Sequence, residues 1–446
     1  MTNRRDFLRR AAVGSTATAA SLIASRAALV PPREIIELAR AGRGLPSPPE
    51  GSPATVAQDE AYWREVAAQY AITDRATNLE AGYWGMMANP VLAAYHRHVD
   101  RVNRENSWFA RREFPALSQA ARQRVATALG VEAGEIAWAR NATEALQSII
   151  GQYNRLQAGD SVLYADLDYP AMQMAMNALA ARRGAAVATL TIPEPASRQG
   201  ILDVYAKALE ANPRTRLLLL THPNNKTGLM LPVREIADMA RAKDVDVVVD
   251  TAHAFGQFPL SLPDLGVPFA AVNLHKWMGA PIGVAALYIR KDALARIDRA
   301  HGDDGPLDRI DSRIHTGTTD FAAIMTVPDA MDFQDRIGIP RKAARLRYLR
   351  DAWVGPARSI AGVDVLTPDE PGLAGAITGF RLHGDGSRER NVAIARTLLD
   401  EFGIFTVARS GLAKGDCVRV TPALYSSPAD AAKLVAALRV MAARRG

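Results

Sequence analysis

The chain has 446 residues, 48% hydrophobic and 23% charged, the ordinary balance of a globular protein with room for two domains. The net charge of +7 comes from Arg scattered along the whole length, and no Lys/Arg block is interleaved with aromatics, so nucleic acid is not an expected partner. The single cysteine, Cys417, excludes an internal disulfide framework and a cysteine-based metal cluster.

The first element is "NRRDFLRR" (Asn3 to Arg10), followed by an Ala/Ser/Thr-rich apolar stretch. Paired Arg4 and Arg5, then Phe7 and Leu8, predict a twin-arginine export signal over residues 1–28, cleaved near Ala27 or Ala28. The apolar stretch is too short and too rich in small residues to form a stable membrane anchor. The expected partner is the twin-arginine export machinery, and the expected location is the periplasm or another exported site. Because that route carries folded proteins, it also suggests a cofactor loaded before export. Residues 29–75 include "LPSPPEGSPATVAQDE", whose Pro, Gly and Ser read as an extended linker or arm.

From about Ala61 the pattern is globular. "PVLAAYHRHVDRVNRE" and "FPALSQAARQRVATAL" have helical spacing, the second stopped by Gly130. Strands and helices then alternate: "EIAWAR", "NATEALQSIIGQYN", "SVLYAD", "PAMQMAMNALAARRG", "AAVATLTI", "RLLLLTH", "PVREIADMARAKD" and "VDVVVDTA". The continuous apolar runs suit strands buried on both faces of a sheet, with helices as crossovers. The expected fold class is α/β, with a large domain over residues 76–326 built on a mostly parallel sheet. A smaller α+β domain is expected over 327–446, with strands "AITGFRL" and "CVRVTP" and the last helix "SPADAAKLVAALRVMAARR", and it shares the start of the large domain.

Ligands of open α/β sheets bind at the carboxyl ends of the strands. There the sequence places Ala142 and Thr143 at a helix start, Tyr169 in "DLDYPA", Asn224 and Asn225 in "PNNKTG", Asp250 and His253 in "DTAHA", and Lys276 in "VNLHKWMGAPIG". The helix start reads either as a phosphate site or as a plain N-cap. Neither GxGxxG nor a P-loop occurs. Asp250 and His253 with the one distant His275 do not make a convincing set of protein ligands for a metal. Trp277 reads as packing, and Tyr83 and Trp84 as either packing or the mouth of the site. Lys276, between a histidine and a tryptophan, is costly to bury unless its charge is paired or removed.

One cofactor needs this whole set. Pyridoxal phosphate requires a lysine for a Schiff base, an acid at its pyridine nitrogen, a helix start for its phosphate and a stacking face. At about 4 Å and an effective dielectric of about 20, the acid–pyridinium pair is worth about 4 kcal/mol, which holds the ring protonated at neutral pH.

The chain resembles the class V aminotransferase group of fold-type I pyridoxal-phosphate enzymes, which includes cysteine desulfurases and isopenicillin N epimerase-like proteins. The likeness rests on "NLEAGYWG", "NATEA", "DYPA", "NNKTG", "DTAHA", "LHKWMGAPIG", "HTGTTD" and "VRVTPALYSS", in the family's order from about Asn78 to the C-terminal helix. It implies that Lys276 binds the cofactor covalently and shuttles the substrate's α-proton, and that Asp250 pairs the ring nitrogen. It implies that His253 and Asn225 contact the 3-oxygen side, and that Tyr169 stacks on the ring where many relatives carry His. Ala142 by its N–H, Thr143 and His275 would hold the phosphate, with Asn273 where relatives often have Ser or Thr. Thr318 in "HTGTTD" would reach the phosphate of a neighbouring subunit, implying a homodimer. Arg419 would clamp the substrate carboxylate, with Arg409 as a further candidate.

The implied reaction starts with loss of the α-proton of an amino acid, an amino-acid-like molecule or a peptide, and continues as epimerisation or transamination. β-Elimination of the desulfurase or C–S lyase type, and a non-catalytic binding protein of the same fold, are the alternatives. Cys417 lies two residues before Arg419 on a strand rather than on a mobile loop, which disfavours a persulfide route.

Overall fold

The computed structural model describes residues 44–444. The expected export signal and the first part of the expected linker lie outside the described residues.

Thirteen strands form three sheets among the described residues. In chain order they are β1 (Thr77–Asn78), β2 (Ile136–Ala139), β3 (Ser161–Ala165), β4 (Ala186–Leu190), β5 (Thr215–Thr221), β6 (Asp246–Asp250), β7 (Phe269–Asn273), β8 (Ala285–Ile289), β9 (Val363–Val365), β10 (Thr378–Leu382), β11 (Ile404–Phe405), β12 (Val407–Arg409) and β13 (Cys417–Val420). The large sheet runs β2-β8-β7-β6-β5-β3-β4. β3 to β7 are mutually parallel, and β8 runs antiparallel to both of its neighbours.

The apolar runs are buried on both faces, and alternation along each strand sorts their side chains into two cores. Leu218, Leu220, Val247, Val249, Ala270 and Val272 join one core. Leu217, Leu219, Val248, Phe269 and Ala271 join the other. Helices close both faces. Gly130 and Gly184 end theirs in the left-handed conformation, at φ 74° and 66°, the C-terminal geometry glycine adopts without a Cβ clash.

The small sheet runs β12-β13-β10-β9 and is antiparallel. It carries its own core, which includes Leu79, Trp353, Phe380, Val418 and Leu438. β1 pairs in parallel with β11 in a separate two-stranded sheet, and Leu79 just after β1 joins the core of the small sheet, so the segment before the large sheet packs with the C-terminal part of the chain.

Two expectations need correction. Residues 45–70 are not an extended linker. Short helices Pro53–Val56 and Glu60–Ala67 form there, and Leu45, Val56, Tyr62, Trp63 and Val66 are buried. The Trp63 indole donates to the Val56 carbonyl at 2.7 Å. Arg345, 1% exposed, forks onto Glu60 from the helix Ile339–Arg358. The Pro-rich composition marks tight helix starts on a packed segment rather than freedom from packing.

The expected domain boundary at 326/327 falls inside the helix Phe321–Ile337. Ala323, Ile324, Val327, Ala330 and Phe333 all belong to a core of the large sheet. That core extends along the next helix to Leu346, and the small-sheet core begins at Trp353. The change of allegiance therefore lies within the helix Ile339–Arg358.

Among the described residues no helix is long and apolar enough to cross a membrane.

Candidate active site

The parallel strands deliver their carboxyl ends to one edge of the sheet, the expected ligand position. Asn141 follows β2, Tyr169 follows β3, Asn225 follows β5, Asp250 ends β6, and Asn273 ends β7 just before His275 and Lys276. All of them line one cavity of about 210 Å³, together with Ala142, Thr143, His253, Arg409 and Arg419. Thr318 is not among the residues lining this cavity; it sits exposed in the loop before the helix Phe321–Ile337.

Lys276 lies in the connection from β7 back to β8, a loop held in one shape by its own hydrogen bonds. Gly279 N–H donates to the Lys276 carbonyl at 3.1 Å, and Ala280 N–H to the Leu274 carbonyl at 3.1 Å. The buried Lys342 ammonium donates to the Trp277 carbonyl. From outside, Gly85 N–H donates to the His275 carbonyl at 2.8 Å. The approach is so close that a Cβ on Gly85 would lie 1.7 Å from the Lys276 carbonyl oxygen. That contact explains the second glycine of "GYWG".

The proton positions around Lys276 follow from donor chemistry. The indole N–H of Trp277 can only donate, and it points at His253 Nδ1 at 3.2 Å. In the neutral imidazole the hydrogen then sits on Nε2, which lies 2.9 Å from Lys276 Nζ. In that tautomer the histidine donates and the amine accepts, which requires the neutral form of the amine. Burial, reinforced by the Lys276 charge, holds His253 well below its usual 6.5. Burial also draws the Lys276 amine down to about 8, against the opposing pull of Asp250. Trp277, read from sequence as packing, is therefore also a positioning donor.

Asp250 is 4% exposed and accepts from Ala252 N–H at 2.9 Å. Burial raises its carboxyl above the ordinary range, while that N–H and Lys276 pull it down. A buried carboxylate at a strand end with a single hydrogen bond suits a cationic partner in the cavity.

Two expected phosphate contacts are rearranged. Asn141 caps the helix Ala142–Gln152 by accepting from Glu144 N–H at 2.9 Å. The Ala142 N–H, expected to hold phosphate, instead donates to Asn273 Oδ1 at 2.8 Å. This fixes the Asn273 amide through its oxygen and leaves Nδ2 as the donor it can offer. His275 Nδ1 donates to the Val284 carbonyl at 3.1 Å, so contact with an anion through Nε2 needs the imidazolium. Burial lowers its pKa and the Val284 bond raises it; a phosphate dianion alongside would add to the second effect.

The residues fit pyridoxal phosphate. Asn225 Oδ1 is buried without a hydrogen-bond partner, Asp250 is a buried acid with one hydrogen bond, and Lys276 lines the same cavity. Asn224, by contrast, shapes its loop: its Oδ1 accepts from Lys226 N–H at 2.8 Å and Thr227 N–H at 2.9 Å.

Sequence reasoning missed Glu80. Its carboxylate is 6% exposed and pairs with both Arg419 and Arg409. A signal was present: one acid between Leu79 and Ala81, both apolar and buried. Cys417 packs under the site with its Sγ 3.9 Å from the Lys226 carbonyl. It is fully buried, and burial pushes its thiol up to about 12.

A family model described as aminotransferase class-V matches residues 89–421. The chain is 30% identical over 394 residues to the isopenicillin N epimerase of Amycolatopsis lactamdurans, covering 84% of this chain and 98% of the relative. Among solved structures, the cystine C–S lyase C-DES in complex with cysteine persulfide aligns with a TM-score of 0.72 at 23% identity, over 82% of this chain and 98% of the other. The Escherichia coli cysteine desulfurase CsdA aligns with a TM-score of 0.70 at 21% identity, over 87% and 98%. At these identities the two structures show a shared fold.

The Lys276 environment predicts a pH profile. Only the neutral amine attacks an acylating reagent, so in cofactor-free protein the acylation rate at Lys276 is expected to climb from about pH 7 to about pH 9 and then level off. The midpoint is about 8. Peptide mass spectrometry reads the rate, and a profile still rising toward 10.5, the ordinary lysine value, would place the amine in water.

Proposed function

Because the chain belongs to the class V aminotransferase family of pyridoxal-phosphate enzymes, we propose that it acts at the amine-bearing carbon of an amino acid or an amino-acid-like or peptide substrate, by epimerisation or transamination. One observation carries this reading: a lysine amine 2.9 Å from the Nε2 of a buried histidine, at the strand edge that also presents Asp250.

In this reading the cofactor supplies a delocalised sink for the electrons left when the C–H bond breaks. The protein supplies the rest. Lys276 would anchor the cofactor, and its amine would take up the proton; a base with a pKa of about 8 is matched to that task near neutral pH. His253 orients Nζ, and Trp277 holds the histidine's tautomer. Asp250 keeps a positive charge in place at the ring nitrogen. Tyr169 covers one face of the ring. Thr143, Asn273 and His275 hold the phosphate, and Asn225 the 3-oxygen side. Arg409 and Arg419 face the substrate end. A persulfide route needs an accessible thiolate, and the buried Cys417 offers none.

Two further assignments belong to the same reading. Thr318, exposed and away from its own cavity, completes the phosphate site of a second copy in a homodimer. Residues 1–28 direct the folded, loaded enzyme through the twin-arginine route to the periplasm.

Purified protein is expected to be yellow and to fix cofactor onto Lys276 with borohydride, while Lys276→Ala fixes none; label on Lys276→Ala would move the anchor elsewhere. Sedimentation of the loaded protein is expected to show a dimer, and a fully active monomer would remove the role of Thr318. With Arg4 and Arg5 both replaced by Lys, the protein is expected to stay in the cytoplasm, and unchanged fractionation would refute export.

A further inference from the structure

Arg409 and Arg419 stand on one hairpin, in which Arg409 pairs with Cys417 and Val407 with Arg419. That ladder fixes the two arginines relative to each other. Their position against the large sheet is set where the hairpin touches the strand-end loops, above all at its turn, residues 410–416. Lys226, in the loop after β5, is 2% exposed. Its ammonium donates to the Asp166 carbonyl at 2.8 Å and to the Gly411 carbonyl at 3.0 Å. Asp166, just after β3, adds a second hold: Oδ2 accepts from Ala413 N–H at 3.1 Å, while Oδ1 is fixed by Ile192 N–H at 3.0 Å. Nearer the surface, the Glu194 carboxylate meets Arg381, and its carbonyl accepts from Lys414 at 2.6 Å. Gly411 lets the turn close over the ammonium, with φ at 85° and a position where a Cβ would lie 3.3 Å from Lys226 Nζ. The backbone of the same loop meets the other arm of the hairpin, because the Asn225 carbonyl accepts from Arg419 Nη1 at 2.8 Å.

Taking an ammonium out of water is costly, and methionine would fill the same space without that cost. What methionine cannot do is bridge two carbonyls, one on each side of the junction between the sheets. Burial lowers the pKa of Lys226, and the nearby Asp166 and Asp168 oppose that. At the cavity, Arg409 and Arg419 share one acid, Glu80, so this end keeps a net positive charge suited to a carboxylate. A guanidinium holds a carboxylate through two parallel bonds of fixed geometry, and a shift of about 1 Å is enough to spoil such an arrangement. The register of the hairpin against the large sheet is therefore a condition for that contact, and the turn is where a buried cation fixes it.

We propose that Lys226 is a positioning residue: with the Asp166 carboxylate, its ammonium clasps the β12–β13 turn to the large sheet and so sets Arg409 and Arg419 in the geometry that receives the substrate carboxylate. This rests on the proposed reaction, in which the two arginines face the substrate end of the cavity.

The test titrates cofactor-loaded protein with L-alanine and with L-alaninamide, which lacks the carboxylate, in the wild type, Lys226→Met and Asp166→Ala. Apparent Kd is read from the change in cofactor absorbance. The wild type is expected to bind alanine more tightly than alaninamide. In Lys226→Met the Kd for alanine is expected to rise about tenfold, the scale of one charge-assisted hydrogen bond, while the Kd for alaninamide and the cofactor spectrum stay as they are. Asp166→Ala opens the same clasp without touching the loop that carries Asn225, and a smaller loss confined to alanine is expected. A loss shared equally by both ligands marks a merely structural role and overturns the proposal, as does an unchanged Kd for alanine. A selective loss in Lys226→Met alone places the effect in the Asn225 loop and also overturns it. If Lys226→Met does not fold, Asp166→Ala decides by the same outcomes. A wild type that does not favour alanine overturns the proposal together with the placing of the arginines at the substrate end. Protein that binds no cofactor refutes the reaction reading instead. Calorimetry of propionate against propionamide on the cofactor-free protein then tests the clasp alone, with propionate expected to lose affinity in both variants and unchanged affinity counting against it.

Discussion

A lysine taken out of water has to lose its charge or find a partner for it, and much of this site is arranged around that constraint. Lys276 does both in part. Its amine meets His253 Nε2 at 2.9 Å, a contact that favours the neutral form, and Asp250 lies close enough to pull against the deprotonation that burial favours. Trp277 closes the chain by donating to the far side of the histidine. Because indole can only donate, the whole relay has one consistent direction of hydrogen bonding. The result is an amine ready to act as nucleophile and base near neutral pH.

The sheet explains why these groups meet. β6 and β7 are adjacent and parallel, with Asp250 opposite Ala271. The acid therefore ends its strand beside the strand that leads into the lysine loop. β8 turns back immediately, so Lys276 sits in a tight connection rather than at a helix start. The small sheet closes the site from the other side. β12 and β13 bring Arg409 and Arg419 within reach of the strand-end loops, and the segment after β1 threads Glu80 between them. Charge at the Lys276 end of the cavity and charge at the Arg419 end are thus set by different parts of the chain.

Much of this was legible from the residues. Apolar runs gave the central strands, because a strand buried on both faces cannot alternate with polar residues. Asp250, His253 and Lys276 could be placed because each closes or follows such a run. Contacts across long sequence distances were not legible. Glu80 and Arg419 are 339 residues apart, and local pattern carries no trace of their pairing. The segment 45–70 resembled a linker because Pro and Gly mark turns whether or not the turns are packed, and the helix Ile339–Arg358 that covers it lies far along the chain. The helix Arg198–Ala211 between β4 and β5 was overlooked, although Ser197 caps it at Gly200 N–H and Ile201, Tyr205 and Leu209 repeat every four residues. Asn273 was placed correctly at the strand end, but its partner, the Ala142 N–H, required three dimensions.

The central claim is that Lys276 and Asp250 hold opposite ends of one cofactor. A crystal structure of the loaded protein tests it most directly. The account predicts electron density continuous from Lys276 Nζ into the cofactor, with the ring nitrogen in hydrogen-bond contact with the Asp250 carboxylate and the phosphate at the start of the helix Ala142–Gln152. Density joined instead to Lys226 or Lys342, the other buried lysines among the described residues, or a ring nitrogen turned away from Asp250, would contradict it.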